Sequence, residues 1–281
     1  MTALADYFAT IPSAHRAAIL AGGIALFWIW ESALPLVRFD YRKWRHALVN
    51  FFFTATTIVV NFGLAFLLLL ASEWSAAREI GVLYLAGTLP LVWQTLIGLL
   101  LLDLISAWLP HFVQHKTPLL WKLHLIHHSD THVDTTTANR HHPGESVVRF
   151  AFTAFAVVVV GTPLWMVFLY QAMSVVLSQF NHANIFLPAA LDRAMSWVIV
   201  SPDMHKVHHH YVLPYTDSNY GNIFSVWDRL FGTFRTLDRS ALVYGIDTHR
   251  APDEHEGIGA LLSMPFRPKP SVRRNARPDA D

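Results

Sequence analysis

The sequence predicts an all-α integral membrane protein with four or five transmembrane helices and a histidine-rich cytosolic cap. Three observations predict this class: 53% of the 281 residues are hydrophobic and 15% are charged, long apolar blocks recur along the chain, and the 17 histidines cluster outside those blocks. Soluble domains carry about 25% charged residues. The chain is therefore too apolar for an ordinary soluble domain of its length.

Four apolar blocks reach or exceed the roughly 20 residues that a helix needs to cross a bilayer. They are 17–37, 47–71, about 91–109 and 147–180. The fourth block is too long for one span, and Gly161-Thr162-Pro163 interrupts it near its middle. A glycine and a proline at this point favour a hairpin of two short helices, with one kinked helix as the alternative.

Basic residues predict the orientation of the spans. The turn between the first two blocks, 38–46, carries four Lys or Arg residues, whereas the turn after the second block, 72–81, carries only Arg78. The positive-inside rule places the first of these turns in the cytoplasm. When the spans are followed from there, the two histidine-rich stretches, 111–145 and 182–210, fall on the same cytoplasmic face.

The rest of the composition limits the function. The net charge of +1 argues against a nucleic-acid-binding protein, which normally carries a basic stripe on its surface. The absence of cysteine excludes disulfides, iron–sulfur clusters and thiolate-bound haem, and no nucleotide-binding loop is found, so no bound nucleotide or haem is expected. No polar linker divides 1–263, which is predicted to be a single membrane-embedded domain, whereas the Pro- and Arg-rich tail, 264–281, is predicted to be disordered.

Three groups of histidines have the spacing of metal ligands. His111 and His115 are four residues apart, and two triplets, at 124, 127 and 128 and at 205, 208 and 209, share the offsets 0, +3 and +4. Residues with these spacings share one face of a helix, so each box is predicted to direct its imidazoles to one place. Eight imidazoles exceed what a single ion holds, and two ions with open positions would form a catalytic centre, with iron favoured for redox chemistry. A solvated loop that binds metal adventitiously is the alternative for each box alone.

Ligating imidazoles usually donate their second N–H to an acceptor. The candidate acceptors near the boxes are Asp130, Asp134, Glu145, Asp203 and Asp228, each of which has an alternative role as a helix cap or surface charge. Asp103 lies inside an apolar span, where a carboxylate is costly and usually functional, and it is expected to orient a ligand. By spacing alone, His141 has no ligand partner and His210 is expected to be solvated.

The motifs from about 100 to 235 together resemble the fatty acid hydroxylase / sterol desaturase superfamily of membrane di-iron oxidases. They are Asp103-Leu104, His111-x3-His115, Trp121-Lys122-Leu123-His124-Leu125-Ile126-His127-His128, Arg140-His141-His142-Pro143-Gly144-Glu145, His182-Ala183-Asn184, Ser201-Pro202-Asp203-Met204-His205-Lys206-Val207-His208-His209, Asn219-Tyr220-Gly221-Asn222 and Trp227-Asp228-Arg229. The residues within these motifs are most similar to those of bacterial members, which implies the inner membrane with the boxes on the cytoplasmic side. One extra residue follows Asp103, and it is expected to shift the first box by part of a turn.

The resemblance implies two iron ions that use dioxygen to hydroxylate or desaturate a fatty acyl, sterol or isoprenoid lipid. The implied ligands are the histidines of the three boxes and the one that follows the hairpin: His111, His115, His124, His127, His128, His182, His205, His208 and His209. His142 is implied as a tenth ligand or an outer hydrogen-bonding group. Electrons would come from an external donor such as cytochrome b5, a ferredoxin or a flavin reductase. The alternative is a membrane metal-binding or metal-transport protein, in which ligands would lie within several spans.

Overall fold

The computed structural model describes residues 1–249 and 251–267, and within these ranges the regular structure is helical, without a β-strand. The helices are α1 (Thr2–Ala9), α2 (Ser13–Ala33), α3 (Lys43–Arg78), α4 (Val82–Leu85), α5 (Leu91–Asp103), α6 (Leu109–Lys116), α7 (Pro118–His128), α8 (Pro143–Val160), α9 (Leu164–His182), α10 (Ala189–Met195), α11 (Pro202–His208), α12 (Val226–Leu230), α13 (Pro252–His255) and α14 (Ile258–Ser263).

Four helical segments of the described chain are long and apolar enough to cross a membrane. They are Ser13–Ala33, Lys43–Leu85, Leu91–Lys116 and Pro143–Val160. Large apolar side chains such as Phe62 and Phe66 of α3 are exposed on them, as expected for surfaces that face lipid rather than water. The predicted all-α membrane protein is therefore confirmed, with α9 as an additional helix that runs back alongside the spans.

The fourth apolar block forms two helices, as the hairpin interpretation predicted. Gly161 ends α8 with a φ of 76°, a left-handed conformation that glycine adopts without strain. A Cβ atom at Gly161 would lie 2.8 Å from the carbonyl oxygen of Ile80, so the neighbouring turn also requires glycine. Glu145 at the start of α8 and His182 at the end of α9 both reach histidines of α7, so the chain leaves the cap and returns to it.

A π-helical turn, Leu104–Trp108, joins α5 to α6. Such a turn takes up one more residue than an α-helical turn, so it absorbs the extra residue after Asp103. Asp103 accepts hydrogen bonds from the backbone N–H groups of Ile223 and Phe224, and His111 contacts the carbonyl oxygen of Tyr220 in the same loop. The expected shift of the first box away from the other boxes is therefore not seen.

Buried hydrogen bonds and an ion pair hold the histidine-rich cap onto the ends of α2 and α3. Glu31 of α2 accepts hydrogen bonds from the backbone N–H groups of Thr135 and Asn184, each at 3.0 Å. His46 of α3 lies 2.9 Å from both carboxylate oxygens of Asp130. Because these contacts join residues about a hundred positions apart, they fix the histidine-bearing loops relative to the spans.

The ordered chain extends past 263, where the disordered tail was predicted to begin. Met264–Phe266 forms a 3-10 turn, and Met264 is buried in a hydrophobic cluster with Leu125 and Leu261. The apolar contact with α7 explains why this part of the predicted tail is ordered. The remainder of that tail, 268–281, lies outside the described residues.

Candidate metal centre

Nine histidines of α6, α7, α9 and α11 gather in two groups. The first group is His111, His115, His124, His128 and His208, and the second is His127, His182, His205 and His209. Within each group, one ring nitrogen per residue lies within 4.8 Å of the others. All nine imidazole rings are buried. The structure thus brings together every histidine that the sequence analysis assigned to the metal site.

Each histidine triplet is divided between the two groups, which corrects the expectation that one box points to one place. On α7, His124 and His128 belong to the first group, and His127 belongs to the second. At α11 the division is reversed, since His208 joins the first group while His205 and His209 join the second. Residues four apart lie closer in angle on a helix than residues three apart, so the i, i+4 pair of each triplet stays together.

The two groups are adjacent. The rings of His128 and His209 stack across the boundary with centroids 4.8 Å apart, and within the first group those of His128 and His208 are 4.5 Å apart. The stretches 124–128 and 205–209 therefore face each other across one buried site, as a shared centre requires.

Carbonyl oxygens fix the tautomers of three rings. Nδ1 of His111 lies 2.8 Å from the Tyr220 carbonyl, Nδ1 of His182 lies 2.7 Å from that of Ser178, and Nδ1 of His208 lies 2.6 Å from that of Ser218. A carbonyl oxygen only accepts, so each Nδ1 carries the proton. In a neutral ring this leaves the lone pair on Nε2, which is the arrangement of a metal ligand.

These lone pairs point at one another. Nε2 of His111 lies 3.1 Å from Nε2 of His124, whose own Nδ1 donates to Glu145. In the second group, Nε2 of His182 lies 3.1 Å from that of His127 and 3.0 Å from that of His205. The lone pairs of His111 and His124, whose tautomers are both fixed, repel at this separation unless a cation lies between them. Nitrogens bound to one ion at about 2.1 Å and at right angles are about 3 Å apart, so the spacing fits a metal ion in each group.

Further buried ring nitrogens have no hydrogen-bond partner within the described residues. They include Nε2 of His115, Nε2 of His208 and both ring nitrogens of His209. Burial, together with the charges of neighbouring histidines, lowers the pKa of His127, His128, His205, His208 and His209 well below the ordinary value. The rings are therefore neutral at physiological pH, the form that binds metal.

Among the carboxylates predicted to contact a ligand, only Glu145 reaches a histidine of either group in the described chain. Its Oε1 lies 2.8 Å from Nδ1 of His124 and 3.0 Å from Nδ1 of His141. A carboxylate on the outer nitrogen of a ligating histidine orients the ring and increases its basicity.

The other five predicted carboxylates have different partners. Asp103 and Asp228 hold the loop around Tyr220, since Asp228 accepts hydrogen bonds from the backbone N–H groups of Tyr220 and Gly221, each at 2.8 Å. They therefore position His111 through the Tyr220 carbonyl instead of touching it. Asp130 and Asp134 both pair with His46, and the partly exposed Asp203 pairs with Arg239 at 2.6 Å. Each carboxylate binds the nearest N–H groups, and in these five cases those belong to loops or other side chains.

His142 was predicted as a tenth ligand or outer group, but it lies in neither histidine group. It precedes α8, and its Nδ1 accepts the backbone N–H of Gly144 at 3.0 Å. Its neighbour His141 faces the site instead, with its ring stacked 4.7 Å from that of His127. His210 is buried and accepts the backbone N–H of Val243, so the expectation that it is solvated was wrong.

Sequence reasoning missed two residues at the site, His141 and Asp217. His141 lies in the Arg140-His141-His142-Pro143 motif, so its position beside a second histidine was the available signal. Asp217 lies in a loop, and its Oδ1 is 3.2 Å from Nδ1 of His115. No spacing relates Asp217 to the first box, and only the folded chain brings the two together.

A small cavity of about 20 Å³ touches both groups of histidines. It is lined by Ala107, His111, His124, His127, His141, Arg149, Ser178, His182, His205, Tyr220, Gly221 and Asn222. This volume accommodates about one water-sized molecule. The space next to the candidate ligands therefore suits a diatomic or water molecule, and a larger substrate has to approach through its open side.

An all-α membrane protein whose helix ends gather neutral histidines into two adjacent groups is a candidate metalloprotein of the histidine-box class. Residues 95–233 match the family model described as Fatty acid hydroxylase. This match includes all nine grouped histidines. The chain belongs to the fatty acid hydroxylase superfamily.

Three relatives are similar to this chain over part of their length. Ornithine lipid hydroxylase OlsE of Rhizobium tropici is 26% identical over 64% of this chain and 52% of its own. Cholesterol 25-hydroxylase-like protein of Danio rerio is 30% identical over 54% of this chain and 61% of its own. Alkylglycerol monooxygenase of Xenopus tropicalis is 28% identical over 56% of this chain and 33% of its own. The match thus spans less than two thirds of each relative, and no solved structure matches the chain significantly.

Proposed function

We propose that the protein is a membrane oxidoreductase that uses dioxygen, two iron ions and electrons from an external donor to hydroxylate a lipid. The observation that carries the proposal is the division of nine buried histidines into adjacent groups of five and four. The three relatives described above are named as hydroxylases or monooxygenases of lipids or sterols, which favours hydroxylation over desaturation.

Five histidines would hold one ion and four would hold the other. Iron fits this donor set, since imidazole nitrogen suits iron and the reaction requires a redox metal. When bound, the irons would supply the reductive activation of dioxygen that oxidation of an unactivated C–H bond demands. One oxygen atom would enter the lipid and the other would leave as water, with a pair of electrons from the donor and protons from solvent.

The protein's own residues would position the reactants. Glu145 and the carbonyl oxygens of Tyr220, Ser178 and Ser218 hold histidine rings in one tautomer and orientation. The cavity beside these rings has room for about one water-sized molecule. Because the rings lie at the ends of apolar helices, a lipid can present its carbon without leaving the membrane.

The electron donor would be a separate protein of the cytochrome b5, ferredoxin or flavin reductase type. The absence of cysteine and of a nucleotide-binding motif in the chain supports an external donor. The basic turn 38–46 supports a cytoplasmic location for the cap, in a bacterial inner membrane. Metal transport is less well supported, since a transporter would distribute its ligands along several spans, and the histidines gather at one end.

The test is iron analysis and lipid profiling of the full-length chain and two variants. His127→Ala removes one of the four histidines of the second group, whereas His210→Gln changes a neighbouring histidine outside both groups and retains an acceptor for Val243. Cells with the wild-type chain or the His210 variant are expected to accumulate an oxygenated lipid, and cells with the His127 variant are not. Full iron content and activity in the His127 variant would contradict the proposal.

A further inference from the structure

We propose that Arg149 binds an anionic group of the lipid, so that the enzyme oxidises a carbon close to a carboxylate or phosphate. This inference rests on the proposed function and specifies its substrate class. It is carried by the position of Arg149 at the open side of the cavity that both histidine groups share.

The mouth of the cavity lies between α8 and α9. Most of its lining residues are buried, and the three that are partly exposed are His141, Arg149 and Ser178. Arg149 lies on α8, which is apolar enough to span a membrane, and Ser178 lies on α9. A substrate that reaches the histidines from the lipid therefore passes the guanidinium group of Arg149.

Arg149 forms a long ion pair with Glu145 but no hydrogen bond to it. Its Nη1 is 3.9 Å from Oε1 of Glu145, beyond hydrogen-bond distance, and the same oxygen already has His124 at 2.8 Å and His141 at 3.0 Å. No side-chain hydrogen bond to the guanidinium occurs within the described residues, and the Arg149 side chain is 29% exposed. A charged side chain in an apolar span is costly and usually serves a substrate or a pathway.

The guanidinium belongs to the lining of the cavity. Val147 and Phe155 are exposed on other faces of the same helix, as expected for a helix that contacts acyl chains. The guanidinium presents donors in a fixed fork that matches carboxylate and phosphate oxygens. An anionic lipid group drawn to this position would be held at the boundary between apolar helix surface and the histidine site.

The size of the cavity then restricts where the lipid is oxidised. About 20 Å³ leaves no room for a long acyl segment beyond the mouth. A single carboxylate, Glu145, lies between the guanidinium and the ring of His124. The carbon that approaches the histidines is therefore within a few bonds of the anionic group at Arg149, and the new hydroxyl should lie near that group.

The test is mass-spectrometric profiling of lipids in cells that produce full-length wild-type, Arg149→Gln, Arg149→Lys or Arg78→Gln chains, with the iron content of each purified protein. Arg78 is a matched control, because it is exposed at the far end of α3 and stacks over Trp74. The expected product is an anionic lipid with its hydroxyl close to the acid group. Loss of a charge-assisted hydrogen bond is expected to reduce product formation by about ten- to a hundredfold in R149Q, with R149K intermediate and R78Q unchanged.

The outcomes separate this inference from the proposed function. A neutral product, a hydroxyl far along the chain, or normal product in R149Q would overturn the role of Arg149 and leave the oxidase intact. Loss of iron in R149Q would show that Arg149 acts by holding Glu145 in place and not by binding the lipid, and it would also overturn the inference. Absence of any oxygenated lipid with iron-loaded wild-type protein would instead contradict the proposed function. The acid group of the product distinguishes a carboxylate lipid from a phosphate lipid.

Discussion

Glu145 and His124 form a fully buried carboxylate–imidazole pair, with Oε1 and Nδ1 2.8 Å apart and both side chains 0% exposed. The pair links the first turn of α8 to the box on α7. The carboxylate thereby directs the Nε2 lone pair of His124 toward His111 and His128, each of whose Nε2 atoms lies within 3.2 Å.

Replacing Glu145 with Gln should weaken iron binding without removing a candidate ligand. The amide has the same size as the carboxylate but accepts the hydrogen bond from His124 more weakly. Iron affinity is therefore expected to fall about ten- to a hundredfold. Equilibrium iron binding to the purified protein measures the change. Asp203→Asn is the matched control, since Asp203 pairs with Arg239 on the surface and contacts no grouped histidine. Equal affinities in the two variants would contradict the role of Glu145.

Asp217→Asn should have a smaller effect on the same measurement. Asp217 lies 3.2 Å from Nδ1 of His115, but its side chain is 28% exposed and also pairs with Lys116. Solvent screens such a pair, so its contribution is modest. The expected iron affinity lies between those of wild type and E145Q. A loss larger than that of E145Q would show that His115 depends on its carboxylate more than His124 does.

The turn between α8 and α9 should be sensitive to one methyl group. Gly161→Ala places a Cβ at a positive φ and 2.8 Å from the Ile80 carbonyl oxygen, and the conformation alone costs about 1–2 kcal/mol. Thermal unfolding in detergent should show a lower midpoint for this variant. Gly63→Ala, in the middle of α3 with nothing within 4 Å of its Cβ, is expected to be neutral or to stabilise by about 0.5–1 kcal/mol. A reversed order would contradict the tight packing at 161.

The two histidine groups should respond unequally to the loss of one ligand. The first has five histidines and the second has four. His208→Ala leaves four imidazoles in the first group, whereas His205→Ala leaves three in the second. We expect the His205 variant to lose more iron per chain, because about four protein ligands complete a tightly held site. Iron analysis of both variants measures this difference, and greater loss from the His208 variant would contradict the assignment.

The sequence predicted the spans, the hairpin and eight of the nine histidines because each depends on local spacing, whereas His182 was implied only by the family resemblance. The offsets 0, +3 and +4 place imidazoles on one helix face whatever else the chain does. The division of each triplet between two groups depends on how α7 and α11 rotate toward each other, which no local spacing encodes. Asp103 was expected to orient a ligand, and the route by which it does so, through the backbone N–H groups of Ile223 and Phe224 about 120 residues away, could not be read from spacing.

Local reasoning also failed where irregular backbone decides the geometry. The π-helical turn at Leu104–Trp108 compensates for one extra residue, and an α-helical repeat does not anticipate it. His141 and His142 are adjacent and chemically identical, so only the direction in which the chain enters α8 determines which ring faces the site. Met264 is ordered because it packs on α7, a contact that the composition of the tail does not reveal.

The iron content of the purified full-length protein tests the central claim most directly. Two adjacent groups of neutral histidines should each hold one ion, so elemental analysis of iron-loaded protein is expected to give about two irons per chain. A ratio of one or less after loading, in protein that remains folded, would contradict the two-ion centre on which the proposed lipid oxidation depends.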